Sequence, residues 1–201
     1  MYWKLKKSPG LDGLNAELFK YAPDKFLNRL NDFINVCWRY GHIPGDWKTA
    51  VVIPICKKGD KRDCSNHRAI TILNSAYKIY SKIITKRINK ITDNILIEEQ
   101  NRFRMGRSCI DCVFTVSQII EKHSGNNIPT FMAFIDFKNA FNTVNRSKLW
   151  EVLNKKGIPQ HLIKAAQSLY MGTKIQINTG RKQIEATRET SQGVRQGCPL
   201  S

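Results

Sequence analysis

From Leu73 to Ile91 the residues Leu73, Tyr77, Tyr80, Ile84, Ile88 and Ile91 recur at the three- and four-residue spacing of one helix stripe. An apolar stripe of that length has to be buried against other elements, so the segment predicts a helix packed into a core. A second row is just as regular: Lys78, Lys82, Lys86 and Lys90 recur every fourth residue. Like charges so spaced cost a helix about 0.2–0.5 kcal/mol per pair. Either solvent absorbs that cost or a phosphate backbone lying along the row offsets it. Spacing alone leaves both readings open.

The charge balance favours a polyanion. With 33 Lys+Arg against 16 Asp+Glu the net charge is +17, spread from Lys4 to Arg195. Nucleic acid ranks first as partner. An anionic membrane surface ranks second, because no basic amphipathic anchor or lipidation signal is present. No apolar run approaches the roughly 20 residues of a membrane span, and Met1 to Lys7 lacks the apolar core of a signal peptide. An intracellular protein is expected, nuclear or nucleocytoplasmic, with its six cysteines reduced. Cys109 and Cys112 form a C-x-x-C without a second pair, which reads as structural thiols; Cys56, Cys64 and His67 lack zinc-site spacing.

The remaining elements follow from periodicity and punctuation. Lys6 to Gly13 is a Pro/Gly loop with basic flanks, followed by two helical patterns. In the second, Phe26, Leu30, Phe33 and Cys37 share a face with Leu27, Ile34 and Trp38, between Pro23 at the start and Gly41 at the end. Ala50 to Ile55 predicts a buried strand and Lys57 to Asn66 a loop. Ser108 to Lys122 predicts a helix capped by Ser108 with Asp111 three residues on. Phe131 to Ile135 predicts a second buried strand. Helices are expected at Arg146 to Lys156 and Gln160 to Met171, and a β-hairpin at Lys174 to Thr179 and Lys182 to Ala186. Helices first, then strands around a helical crossover, make an α+β or mixed α/β layout.

Asp136 ends the apolar run FMAFID. A carboxylate there emerges where a sheet meets solvent, a frequent place for ligand chemistry, although an exposed turn aspartate or helix cap fits the same pattern. The neighbouring residues are more specific. Asp136 to Asn142, DFKNAFN, resembles the first catalytic motif of reverse transcriptases, in which Asp is followed by three variable residues and Ala-Phe. Gln192 to Ser201, QGVRQGCPLS, resembles the motif that follows it in that family. Lys7 to Gly13, KSPGLDG, is similar to the N-terminal segment of LINE-type (non-LTR) retrotransposon enzymes. Ile53-Pro54 with Lys57, Asn66 to Ile70, and Glu99-Gln100 through Phe103 to Ser108 are similar to further segments of the same enzymes, in the same order.

The resemblance implies a right-hand polymerase fold of the α+β class, with fingers over residues 1–125 and a partial palm over 126–201. It also implies an RNA-directed DNA polymerase whose partners are an RNA template, a DNA primer and deoxynucleoside triphosphates, with no membrane. The expected cofactor is Mg2+, as two ions roughly 4 Å apart that position and neutralise phosphate. On that resemblance Asp136 is the catalytic metal ligand, with the Phe137 carbonyl beside it. Lys57 and Arg68 would meet the triphosphate. Phe141 stands at the position whose ring excludes a ribose 2′-hydroxyl, and Gln196 and Gly197 line the nucleotide pocket. Lys78, Lys82, Lys86, Lys90, Arg104 and Arg107 are the candidate nucleic-acid contacts.

There are departures. Asn142 stands where relatives commonly carry Asp, His67 and Ala69 replace the usual Tyr and Pro, and Asn101-Arg102 replace Phe-Gly. Arg102 weighs most, since a glycine position often signals a positive φ or a close backbone contact. The later Tyr-x-Asp-Asp hairpin of the family has no counterpart in this chain, which contains no Asp-Asp pair. The chain by itself is therefore expected not to polymerise. The alternative is a non-catalytic nucleic-acid-binding remnant of a decayed element; an intron-maturase relative fits less well, given the KSPG and EQ-x-x-FR-x-GRS segments.

Overall fold

The computed structural model describes residues 8–178, 183–184 and 190–201, the side chains of 183–184 excepted. The predicted central helix is α4, Ser75–Thr92, preceded by α1 (Ala16–Lys20), α2 (Asp24–Tyr40) and α3 (Gly45–Lys48). After it come α5 (Cys109–Gly125), α6 (Arg146–Lys155) and α7 (Gln160–Tyr170). One mixed sheet carries β1 (Thr49–Cys56), β2 (His67–Ile72), β3 (Lys174–Asn178) and β4 (Gln183–Ile184) in the order β2-β1-β3-β4. β1 pairs antiparallel with β2 and parallel with β3, and parallel partners require a long crossover. Here that crossover runs through α4 to α7.

The stripe on α4 does what its spacing predicts. Tyr77, Tyr80, Ile84 and Ile88 are buried, and they meet Leu162, Ile163, Ala166 and Leu169 of α7. Each aliphatic side chain so buried contributes roughly 1.5–3 kcal/mol. Trp47, delivered by α3, packs its ring 5.8 Å from Phe33, 6.5 Å from Tyr77 and 5.9 Å from Tyr80. One hydrophobic cluster thus joins residues before and after position 125, and β3 pairs with β1 across that same division.

The N-terminal loop is tied to the same helix: Ser75 Oγ donates to the Leu14 carbonyl at 2.9 Å, and Asp12 lies close enough to Lys78 to act on its charge. Lys7, Lys6 and the strand ends at 179–182 and 185–186 fall outside the described residues. What is described of the predicted hairpin pairs antiparallel, Ile177 with Ile184 and Asn178 with Gln183. The α5 cap is also as expected, Ser108 and Asp111 forming a reciprocal capping box.

Four expectations need correction. β2 is not among the expected strands, although His67 to Ile72 alternates and ends in β-branched residues. The strand predicted at Phe131–Ile135 is not formed: the segment has no regular structure, with Phe131, Phe134 and Ile135 each more than 85% exposed. A fully apolar strand needs neighbours on both edges and cover on both faces, and no strand among the described residues pairs with it. The C-x-x-C thiols are not packed in a core, since Cys109 and Cys112 are both exposed and Cys112 Sγ accepts from Asn101 Nδ2 at 3.0 Å. On α2 only Ile34 and Cys37 are buried; Phe26, Leu27 and Phe33 of the predicted face remain partly exposed.

Candidate nucleotide site

The second motif forms a wedge between two distant parts of the chain. On one side Val194 N donates to the Phe141 carbonyl at 2.7 Å, Gly193 N to the Val144 carbonyl at 2.8 Å, and Gln192 Nε2 to the Thr143 carbonyl at 3.2 Å. On the other, Thr71 N on the edge strand β2 donates to the Gln196 carbonyl at 3.0 Å. Two glycines make the fit possible. A Cβ on Gly193 would stand 2.9 Å from the Asn142 carbonyl oxygen, and one on Gly197 2.9 Å from that of Thr71; both residues also have positive φ, 79° and 110°. The first-motif turn, β2 and the second motif, with separations reaching more than half the chain, thereby become one surface.

The wedge is anchored from beneath by Arg195, a buried guanidinium. Its Nη2 donates to the Lys48 carbonyl at 2.9 Å and its Nη1 to that of Trp47 at 3.3 Å, and it lies 5.0 Å over the Tyr77 ring. Tyr77 in turn shares a hydrogen bond with Cys198 Sγ at 3.2 Å, and burial holds its phenol well above the ordinary tyrosine pKa. Tyr170 and Ser201 hydroxyls are 3.1 Å apart, and Ser201 Oγ donates to the Arg195 carbonyl. A cavity of about 270 Å³ opens beside the wedge, floored by Val52, Ala69 and Thr71 and walled by Asn142, Thr190 and Gln196.

Gln196, half-buried, and Gly197 therefore lie in the assembled surface, and the Phe141 backbone is bound to it. Asp136, Phe137, Lys57 and Arg68 are exposed and line no part of the cavity. Along β2, alternation puts Arg68 on the face of Ile70 and Ile72, opposite Ala69 and Thr71, so it looks away from that cavity. The first motif still approaches the β1–β2 loop: the charge of Lys138 helps hold the Asp63 carboxyl below its usual range, after the larger effect of hydrogen bonds from Ser65. Among the described residues Arg68 enters no ion pair.

A pair of divalent ions needs several converging hard-oxygen donors. Among the described residues no group of three or more His, Cys, Asp or Glu side chains converges. Asp136 and the Phe137 carbonyl are suitable donors but an incomplete set.

The basic candidates divide. On α4, Lys82, Lys86 and Lys90 are exposed and Lys78 half-buried, in a helix without an acidic residue. Arg104 is largely enclosed. Its guanidinium bonds Asp93 Oδ1 at 3.0 Å and the Ile97 carbonyl at 3.0 Å, with the Asp93 carbonyl also in reach at 3.3 Å, and its side chain is 8% exposed. It closes the turn after α4 and has little left to offer a phosphate. Arg107 pairs with Glu98 yet keeps a third of its side chain exposed. Beside it, Arg102 takes no positive φ; the neighbouring Phe103 does, at 66°, under the Arg102 guanidinium 5.1 Å away.

The chain belongs to the reverse transcriptase (RNA-dependent DNA polymerase) family, whose model matches residues 55–201. Within that family it is of the non-LTR retrotransposon kind. It is 27% identical over 197 residues to the Transposon TX1 uncharacterized 149 kDa protein of Xenopus laevis, covering 97% of this chain and 15% of that protein. It is 28% identical over 196 residues to a putative 115 kDa protein in the type-1 retrotransposable element R1DM of Drosophila melanogaster, covering 94% and 18%. To the probable RNA-directed DNA polymerase from transposon BS of the same fly it is 30% identical over 143 residues, covering 70% and 16%. The chain thus spans less than a fifth of the length of these three relatives. Its α+β fold with a small sheet is consistent with part of a reverse transcriptase domain. No helix among the described residues is long and apolar enough to cross a membrane.

Proposed function

We propose that this chain is the fingers and first half of the palm of a right-hand polymerase that copies RNA into DNA. In that reaction the primer 3′-hydroxyl attacks the α-phosphate of a deoxynucleoside triphosphate, one P–O bond forms as another breaks, and pyrophosphate leaves. Asp136 supplies one carboxylate to the divalent-ion site and Phe137 its carbonyl, with Mg2+ as the ion. Lys57 and Arg68 hold the triphosphate from the β1–β2 hairpin, Phe141 tests the sugar, and Gln196 and Gly197 border the nucleotide. The exposed lysines of α4, with Arg107, track the backbone of template and primer. The observation that carries the reading is the wedge: Val194 on Phe141 and Gln196 on Thr71 join the two motif segments to the fingers strand.

Binding of magnesium deoxynucleotide to the purified chain tests it, by equilibrium dialysis. Asp136→Asn is expected to abolish the magnesium-dependent part of binding, and Arg68→Ala to weaken triphosphate binding by about tenfold, the loss of a charge-assisted contact of roughly 1.5 kcal/mol. Deoxynucleotide affinity indifferent to both substitutions would overturn the assignment. Magnesium-dependent primer extension by the chain alone is not expected, because its carboxylates do not complete a two-ion set.

A further inference from the structure

Arg146, the first residue of α6, was singled out by neither motif nor charge pattern. Its Nε donates to the Gly193 carbonyl at 2.7 Å, and its Nη1 to the carbonyls of Thr190 and, at 3.2 Å, Tyr170. Its Nη2 donates to Thr190 Oγ1 at 3.1 Å and to the Gln192 carbonyl at 3.2 Å, and the guanidinium stacks 5.0 Å over the Tyr170 ring. Every acceptor is a neutral oxygen, and they converge on a planar fork. An ammonium has three donors and no plane to stack, so lysine does not reproduce the arrangement.

The peptide at 192–194 is thus held from two sides. Arg146 takes the Gln192 and Gly193 carbonyls, while Gly193 N and Val194 N are bonded to Val144 and Phe141. Phe141 is tied to the very peptide that Arg146 grips, two residues before Gln196. We infer that Arg146 is a positioning residue for sugar selection: by clamping Gly193 and Gln192 it fixes the Phe141 backbone, through Val194 N, beside Asn142 at the cavity wall and so sets discrimination between deoxyribo- and ribonucleotides. This rests on the polymerase reading of Phe141 and Gln196. A steric filter works only while its ring stays within a fraction of an ångström, since a reactive or excluding geometry is lost by shifts near 1 Å.

The test compares magnesium dATP and magnesium ATP on the full chain and on two variants, Arg146→Lys and Thr190→Val, the second removing one acceptor while keeping the arginine. The ratio of the ATP to the dATP dissociation constant is expected to fall by about tenfold in Arg146→Lys, a loss on the scale of a misplaced positioning group. A smaller fall is expected in Thr190→Val, which removes one acceptor and keeps the guanidinium. Equal weakening of both nucleotides, or an unchanged ratio, would overturn the inference while leaving the polymerase reading intact. Failure of the unsubstituted chain to bind either nucleotide would overturn the two together.

Discussion

Tyr80 has no exposed surface, and its hydroxyl finds no hydrogen-bond partner among the described residues. A buried donor left unpaired carries its desolvation cost without return, so Tyr80→Phe is expected to raise stability by up to about 1 kcal/mol, read as a higher urea midpoint. Arg104 shows the opposite case, a charged group held by a backbone carbonyl and Asp93, whereas Arg195 has its Nη atoms on backbone carbonyls and its Nε unpaired among the described residues. Neither role is visible in a residue's identity: Arg104 and Arg107 look alike in sequence, and only the first is enclosed. The same holds for Arg146, whose neighbours in space lie 24 to 47 positions along the chain. Gly193 and Gly197, in contrast, were legible within their motif, and the close contacts at both supply the reason.

At the scale of elements, α4 carries the test of the basic surface. If Lys82, Lys86 and Lys90 neutralise phosphates, replacing the row with glutamine lowers the slope of log affinity against log salt for single-stranded RNA by about 2, at roughly 0.7 per contact. Lys78 adds little, being half-buried beside Asp12. An unchanged slope would return the row to a solvated face. Helices α2, α4, α5, α6 and α7 were readable because their hydrogen bonds close locally, so periodicity and caps suffice. The segment Phe131–Ile135 was not, although its composition is that of a buried strand. A strand's bonds are made with other strands, and this one has no partner among the described residues. Its apolar surface and that of α5, where Ile110, Val113 and Phe114 are exposed, stay uncovered.

For the whole molecule, the core gathers three buried phenols, Tyr77 and Tyr170 against the second motif and Tyr80 against Trp38 and Trp47. Burial pushes Tyr80 up to about 12, and Tyr77 and Tyr170 are raised as well, against an ordinary value of 10.0. A folded-state pKa above the unfolded one means stability fully present below pH 10 and lost as pH rises through 12. Urea midpoints followed by tryptophan fluorescence are therefore expected to hold steady to about pH 10 and then fall, less steeply in Tyr80→Phe. The amino-acid order by itself determined helices α2, α4, α5, α6 and α7, the first strand, the two motifs and the family, because each is written in local spacing. Which motif residues meet was decided only by tertiary structure: Gln196 joins Thr71 and Phe141 joins Val194, whereas Asp136 and Arg68 stay outside the cavity. Contacts across the chain depend on which faces find cover and which strand edges find partners, and no local pattern encodes that.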